Sequence, residues 1–232
     1  MKIPRIISDL GLTVPLTALL IASNVGLGLV GLRVAVTGNW RQLYLVGNLF
    51  LAWLPLVFSL IVCRLHQQGG WRNWRFFASA FAWLVFFPNA PYIFTDLIHL
   101  HAWPRGQFWV DLVLILLFAW TAFLLGFVSL YLVQSVVIRL LGKVAGWLLI
   151  PLMAGLSALE VCMGRFLRWN SWDILLHPLG IFRDLAERAV NSLSNPQAFV
   201  LPCLFAIFLL MAYLTLYALT HLPSAVRPVS NE

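Results

Sequence analysis

The sequence predicts an all-α integral membrane protein: a bundle of about six transmembrane helices, the third of them broken, plus one interfacial amphipathic helix. Three observations carry this prediction. Of 232 residues, 62% are hydrophobic and only 10% are charged, where soluble domains carry about 25% charge. The apolar residues gather into six stretches of about 20, enough for a helix to cross a bilayer. No repeat or extended polar block marks a separate soluble domain, so residues 1–232 read as a single membrane domain. Helices are required because lipid cannot satisfy free backbone polar groups.

The first span is Leu10–Leu32. It follows the basic start Met1-Lys2-Ile3-Pro4-Arg5, as a signal peptide would. Its apolar run is longer than a secretory core and shows no small-x-small cleavage site, so a retained helix is expected. The second span is Gln42–Cys63. The third, Phe76–His101, is interrupted. Phe76 to Phe87 supplies only about 18 Å of helix before Pro88-Asn89-Ala90-Pro91, where each proline lacks an N–H and disfavours helix in the residue before it. Asn89 is expected to cap a second half-helix starting near Ala90. Such breaks are tolerated at membrane depth only inside protein or beside a water-filled cavity. The remaining spans are Trp109–Ile138, Gly146–Leu167 and Ala198–Leu219.

Between the last two spans, residues 178–193 are amphipathic. Phe182, Leu185, Ala186, Ala189 and Leu193 share one helical face, and Arg183, Asp184, Glu187, Arg188 and Asn191 share the other. Arg183–Glu187 and Asp184–Arg188 are i,i+4 pairs. A helix on the membrane surface is expected, and a solvated connecting helix fits the same pattern.

The net charge of +7 is a topology signal. No Lys/Arg-rich run tracks a phosphate backbone, which argues against nucleic-acid binding. Lys2, Arg5, Arg64, Arg72, Arg75, Arg139, Lys143 and Arg227 fall on one side. Arg33, Arg41, Arg105, Arg165, Arg168, Arg183 and Arg188 fall on the other. If the last four of these serve a site or are paired, the first side is the more basic, and both termini are expected in the cytoplasm. Cys63, Cys162 and Cys203 lie in or beside apolar runs and read as small buried hydrophobes.

Two segments break the apolar pattern, and both are expected at the extracytoplasmic face. The first is Phe87-Pro88-Asn89-Ala90-Pro91-Tyr92-Ile93-Phe94-Thr95-Asp96-Leu97-Ile98-His99-Leu100. Asp96 and His99 are three apart, with His101 just beyond. A carboxylate and imidazoles within a turn suit a divalent metal or proton transfer with Asp96 orienting His99. The bland alternative is mutual satisfaction, or service to backbone groups freed by the break. Asn89 and Tyr92, at the break, are candidate substrate contacts.

The second segment is Gly164-Arg165-Phe166-Leu167-Arg168-Trp169-Asn170-Ser171-Trp172-Asp173. Arg165 and Arg168 neighbour each other on a helix surface, and their planar forks suit phosphate or carboxylate. Simple snorkelling is the competing explanation. Trp169, Asn170 and Trp172 are candidate substrate contacts, although interfacial anchoring is the default explanation of the tryptophans. Glu160, one turn before Arg165, is costly in hydrocarbon unless paired. It is a candidate ligand or base, as is Asp173, which also suits an ordinary helix start. Asn24, Asn48, Thr121 and Gln134, inside apolar spans, read as interhelical hydrogen-bonding groups without a further role.

Asn89-Ala90-Pro91-Tyr92, Thr95-Asp96-Leu97-Ile98-His99-Leu100 and the second segment together resemble a bacterial family of small polytopic membrane proteins of unknown function. The likeness runs from about the second span to the sixth. The resemblance implies a multi-pass protein of the bacterial inner membrane whose two segments belong together. It brings no activity, cofactor or substrate.

No phosphate loop, dinucleotide fingerprint, Gly-x-Ser-x-Gly, His-Glu-x-x-His or haem motif is present. The leading expectation is an enzyme at the outer face, a hydrolase or transferase working on an anionic lipid or lipid-linked substrate. Asp96, His99, Glu160 and Asp173 would do the chemistry, with a divalent metal on Asp96, His99 and His101 as one candidate cofactor. The alternatives are a small transporter or proton-coupled carrier, and a non-catalytic membrane subunit. Membrane lipids are the expected surroundings and partners.

Overall fold

The computed structural model describes residues 11–102, 108–162, 179–180, 183 and 197–221. The second polar segment lies outside these residues, as does the amphipathic stretch 178–193 apart from Leu179, Gly180 and Arg183. Every regular element among the described residues is helical. Helix α1 is Thr13–Thr37, α2 Leu43–Gln67, α3 Trp74–Phe86 and α4 Asn89–Tyr92. A 3-10 segment, Ile93–Ala102, continues from α4. Helices α5, Phe108–Leu141, α6, Lys143–Cys162, and α7, Gln197–Thr220, complete the bundle. Six helical stretches are long and apolar enough to cross a membrane.

Helix α5 is the axis. At 34 residues it extends about 51 Å, and α1, α2, the 3-10 segment and α6 all pack on it. Its buried residues recur at helical spacing, including Ile115, Phe118, Ala119, Ala122 and Leu125. They meet Leu45, Ala52 and Leu56 of α2 and Ala90 and Ile93 beside the break in one core. Small residues at these contacts let backbones approach, which drives helix association where lipid removes the usual hydrophobic force.

A second core joins Leu130 and Val133 of α5, Ile150 and Met153 of α6, and Tyr213 of α7. A third joins Phe123, Ala154 and Leu209. Residue numbers rise along α5 as they fall along α6, so these two helices are antiparallel and α7 runs parallel to α5. Their connection is a single residue, Gly142, at φ +91°. Its N–H donates to the Ile138 carbonyl at 3.0 Å, ending α5. A side chain is strained at that φ, so Gly142→Ala is expected to cost about 1–3 kcal/mol. A lowered unfolding midpoint in detergent checks this.

The alternation gives the bundle two chemically different ends. Arg64, Arg72 and Arg75 around the α2–α3 turn, and Arg139 and Lys143 at the α5–α6 turn, make one end basic. No acidic residue accompanies them among the described residues. Exposed Trp71 and Trp74 sit at this end, and exposed Trp40 and Trp109 sit at the other, as interfacial anchors would. The opposite end holds all the described acids: Asp96, Asp111 and Glu160, each buried.

Candidate functional site

The break in the third span is built by its two prolines. Leu84 and Phe87 would normally accept bonds from residues 88 and 91, which carry no N–H. Helix α3 therefore stops at Phe86, and the Ala90 N–H reaches back only three residues, to the Phe87 carbonyl at 3.1 Å. Pro88 holds the cap position of α4, so Asn89 is not the cap expected of it. Asn89 is the first residue of α4, and its Nδ2 donates to the Phe86 carbonyl at 3.2 Å. The side-chain amide thus serves a carbonyl that the Ala90 N–H has abandoned.

Backbone closeness at the break depends on Gly126 of α5. A Cβ there would meet the Ala90 Cβ at 3.0 Å, while Ala90 itself is fully buried. Gly126→Val is expected to push the break outward, with an overpacking cost of about 1–3 kcal/mol. Its readouts are a reduced melting temperature and loss of whatever function the site performs.

Beyond α4 the chain tightens into ten residues of 3-10 helix, where runs beyond three or four are uncommon. The Thr95 hydroxyl donates to the Tyr92 carbonyl at 2.7 Å at its start. In a three-residue turn, residues i and i+3 eclipse. By backbone register Asp96 and His99, three apart, fall in one column of the segment and His101 in another. The side chains of His99 and His101 lie outside the described residues.

Asp96 is 3% exposed. Asn48, one and a half turns into α2, donates from Nδ2 to Asp96 Oδ2 at 3.0 Å. Asn48 does more than its place in an apolar span predicts: its interhelical bond goes to the candidate carboxylate itself. Glu160, 8% exposed, faces the bundle interior near the end of α6. Asn89, Tyr92, Thr95, Asp96 and Glu160 each make at least one interaction beyond these. Each of these residues is therefore partnered rather than bare. Among the described residues no three His, Cys, Asp or Glu converge as metal ligands. Arg165, Arg168, Trp169, Asn170, Trp172 and Asp173 lie outside the described residues.

A second buried polar group at the same end escaped the sequence reading. Arg33 of α1 grips Asp111 of α5 with two bonds, Nε to Oδ1 at 3.0 Å and Nη2 to Oδ2 at 3.2 Å. Gln42, just before α2, adds Nε2 to Oδ1 at 2.9 Å. Arg33 and Asp111 are 7% and 1% exposed as side chains. An aspartate in the first turn of an apolar span was the available signal. Of the other polar residues in the spans, Gln134 accepts from the Tyr213 hydroxyl at 2.5 Å between helices. Thr121 donates within its own helix, to the Leu117 carbonyl at 2.7 Å.

Residues 48–212 match the family described as a protein of unknown function, DUF1361. That is well over half of the 232 residues, so the chain belongs to this family. No curated protein and no solved structure matches it. Asn48, the break, Asp96, Asp111, Glu160 and the second polar segment all fall within the matched residues, whereas α1 precedes them.

Proposed function

We propose that this member of the DUF1361 family is a membrane-embedded enzyme, a hydrolase or transferase acting on an anionic lipid or lipid-linked substrate at the end of the bundle that holds Asp96 and Glu160. The observation that carries the proposal is Asp96: a carboxylate 3% exposed, at the end of a broken span, held by Asn48. A buried carboxylate in hydrocarbon is expensive and is retained where it works. Asp96 would act as base or ligand, with His99 in the same column of the 3-10 segment and Glu160 as a supporting carboxylate. Asn89 and Tyr92 would contact substrate beside the break. Arg165 and Arg168 would take the anionic group, with Trp169, Asn170, Trp172 and Asp173 completing the site. The candidate cofactor remains a divalent metal on Asp96, His99 and His101; Asp96 and His99 are in register for it, and His101 would have to reach across from another column of the 3-10 segment.

The basic end, bare of described acids, would face the cytoplasm under the positive-inside rule. The site would then open outside a bacterial inner membrane, with both termini inside. Incubating the purified protein with a total lipid extract, followed by mass spectrometry, tests the enzyme reading. Consumption of an anionic species is expected, and an unchanged extract counts against it.

The unusual 3-10 segment favours one competing reading, a small carrier, because such stretches mark hinges and broken helices build transport sites. Asn89→Cys in a chain without its native cysteines separates the two. A carrier exposes that position to impermeant thiol reagents from both faces, and the enzyme exposes it from one.

A further inference from the structure

Helix α1 presents two stripes. The buried one, Leu16, Leu19, Ser23, Gly26, Val30 and Arg33, packs toward the bundle. The other, Thr17, Ile21, Asn24, Gly28, Gly31 and Ala35, is wholly exposed. At 100° per residue the two lie roughly 150° apart, so the second stripe faces the hydrocarbon.

Asn24 is the anomaly in that stripe. It sits near the centre of a 25-residue span, where a polar side chain facing lipid is costly. Its Nδ2 donates to the Leu20 carbonyl of its own helix at 2.8 Å. Its Oδ1 accepts no hydrogen bond among the described residues. The neighbouring helices leave it alone, unlike Ser23 one residue earlier, which accepts from Trp53 Nε1 at 3.2 Å.

The geometry around Asn24 has room for a partner. A Cβ at Gly28 or Gly31 would find nothing within 4 Å, and the same holds at Gly47 of α2. Further along, Gly31, Ala35 and Gly38 recede to leave a groove with Trp40 and Leu43 at its rim. An apolar acyl chain could fill that groove, but it offers Asn24 no donor. A second α1 running parallel offers an identical Asn24, whose free N–H meets the partner's Oδ1 across a two-fold axis.

We propose that this chain forms a parallel homodimer through α1, with Asn24 paired to Asn24 and Gly28, Gly31 and Ala35 in the seam. The spacing 24, 28, 31, 35 alternates four and three, the seven-residue repeat of a left-handed crossing. A polar Asn at one seam position fixes register, and glycines let the backbones close. The dimer helix lies outside the family-matched residues 48–212. The proposal is independent of the site chemistry.

Single cysteines placed along α1 test it, in the full chain with Cys63, Cys162 and Cys203 changed to Ala, under mild oxidation in native membranes. Asn24→Cys, Gly28→Cys, Gly31→Cys and Ala35→Cys should give chains linked at twice 26.2 kDa. Val25→Cys, Leu29→Cys and Val36→Cys should not. A flat profile, no linkage, or linkage to a different mass overturns the proposal. Light scattering on the otherwise native chain gives a second reading. Asn24→Leu with Gly28→Leu should weaken self-association about tenfold or more, and a dimer as tight as the wild type's overturns it.

Discussion

Asp111→Ala is expected to destabilise the fold by about 3–5 kcal/mol, because it takes from a buried guanidinium the carboxylate that accepts two of its bonds. Arg33 reaches Asp111 with two bonds and little solvent access, so water cannot replace the lost carboxylate. Arg33→Ala should cost a similar amount by removing the guanidinium that neutralises buried Asp111, leaving it the Gln42 bond. The double variant Arg33→Leu, Asp111→Leu should recover most of the loss, since an apolar pair removes both desolvation costs. Gln42→Leu removes its own bond to Asp111 and leaves the ion pair, so its cost should be smaller, about 1–3 kcal/mol. Unfolding midpoints in detergent give the order. An Asp111→Ala protein as stable as the wild type would show that the pair does not bind α1 to α5 energetically.

Asp96→Asn should leave the fold nearly intact while removing the proposed function. The amide keeps the shape of the carboxylate, and its oxygen can still accept from Asn48 Nδ2. It cannot hold a proton at neutral pH or bind a cation strongly. If Asp96 is the base, the rate should drop by roughly 10²–10⁴-fold. Asn48→Leu acts differently. It leaves the charge but removes one bond that orients it, so a smaller loss of rate is expected together with about 1–3 kcal/mol of lost stability. Equal losses for both variants would mean that Asp96 holds the bundle together instead of reacting.

Composition and stretch length made the membrane class legible, because charge is too expensive in hydrocarbon to hide. The break was legible as well: two prolines three apart inside an apolar run leave few alternatives. What followed the break was not. Nothing in Ile93–Ala102 distinguishes a 3-10 segment from an α-helix, since the two differ by one residue in hydrogen-bond reach. Asn89 was misassigned as a cap because the sequence does not show that Phe86 would need its amide more. The polar partners were hidden for a different reason. Asn48 and Asp96 are 48 residues apart, and Arg33 and Asp111 are 78 apart. Each pairing is set by which faces of α1, α2 and α5 meet, a tertiary property that helical period alone leaves open. Arg33 counted as a topology charge, yet in the fold it is neutralised by Asp111. That pairing removes it from the charge balance and sharpens the contrast between the two ends.

The most direct test compares membrane lipids from gene-deleted cells carrying the wild-type chain with those carrying Asp96→Asn, at matched protein levels and unfolding midpoints. The proposed chemistry predicts that the wild type restores the abundance of an anionic lipid or lipid-linked species that Asp96→Asn leaves shifted. Restoration by both chains would contradict a catalytic role for Asp96.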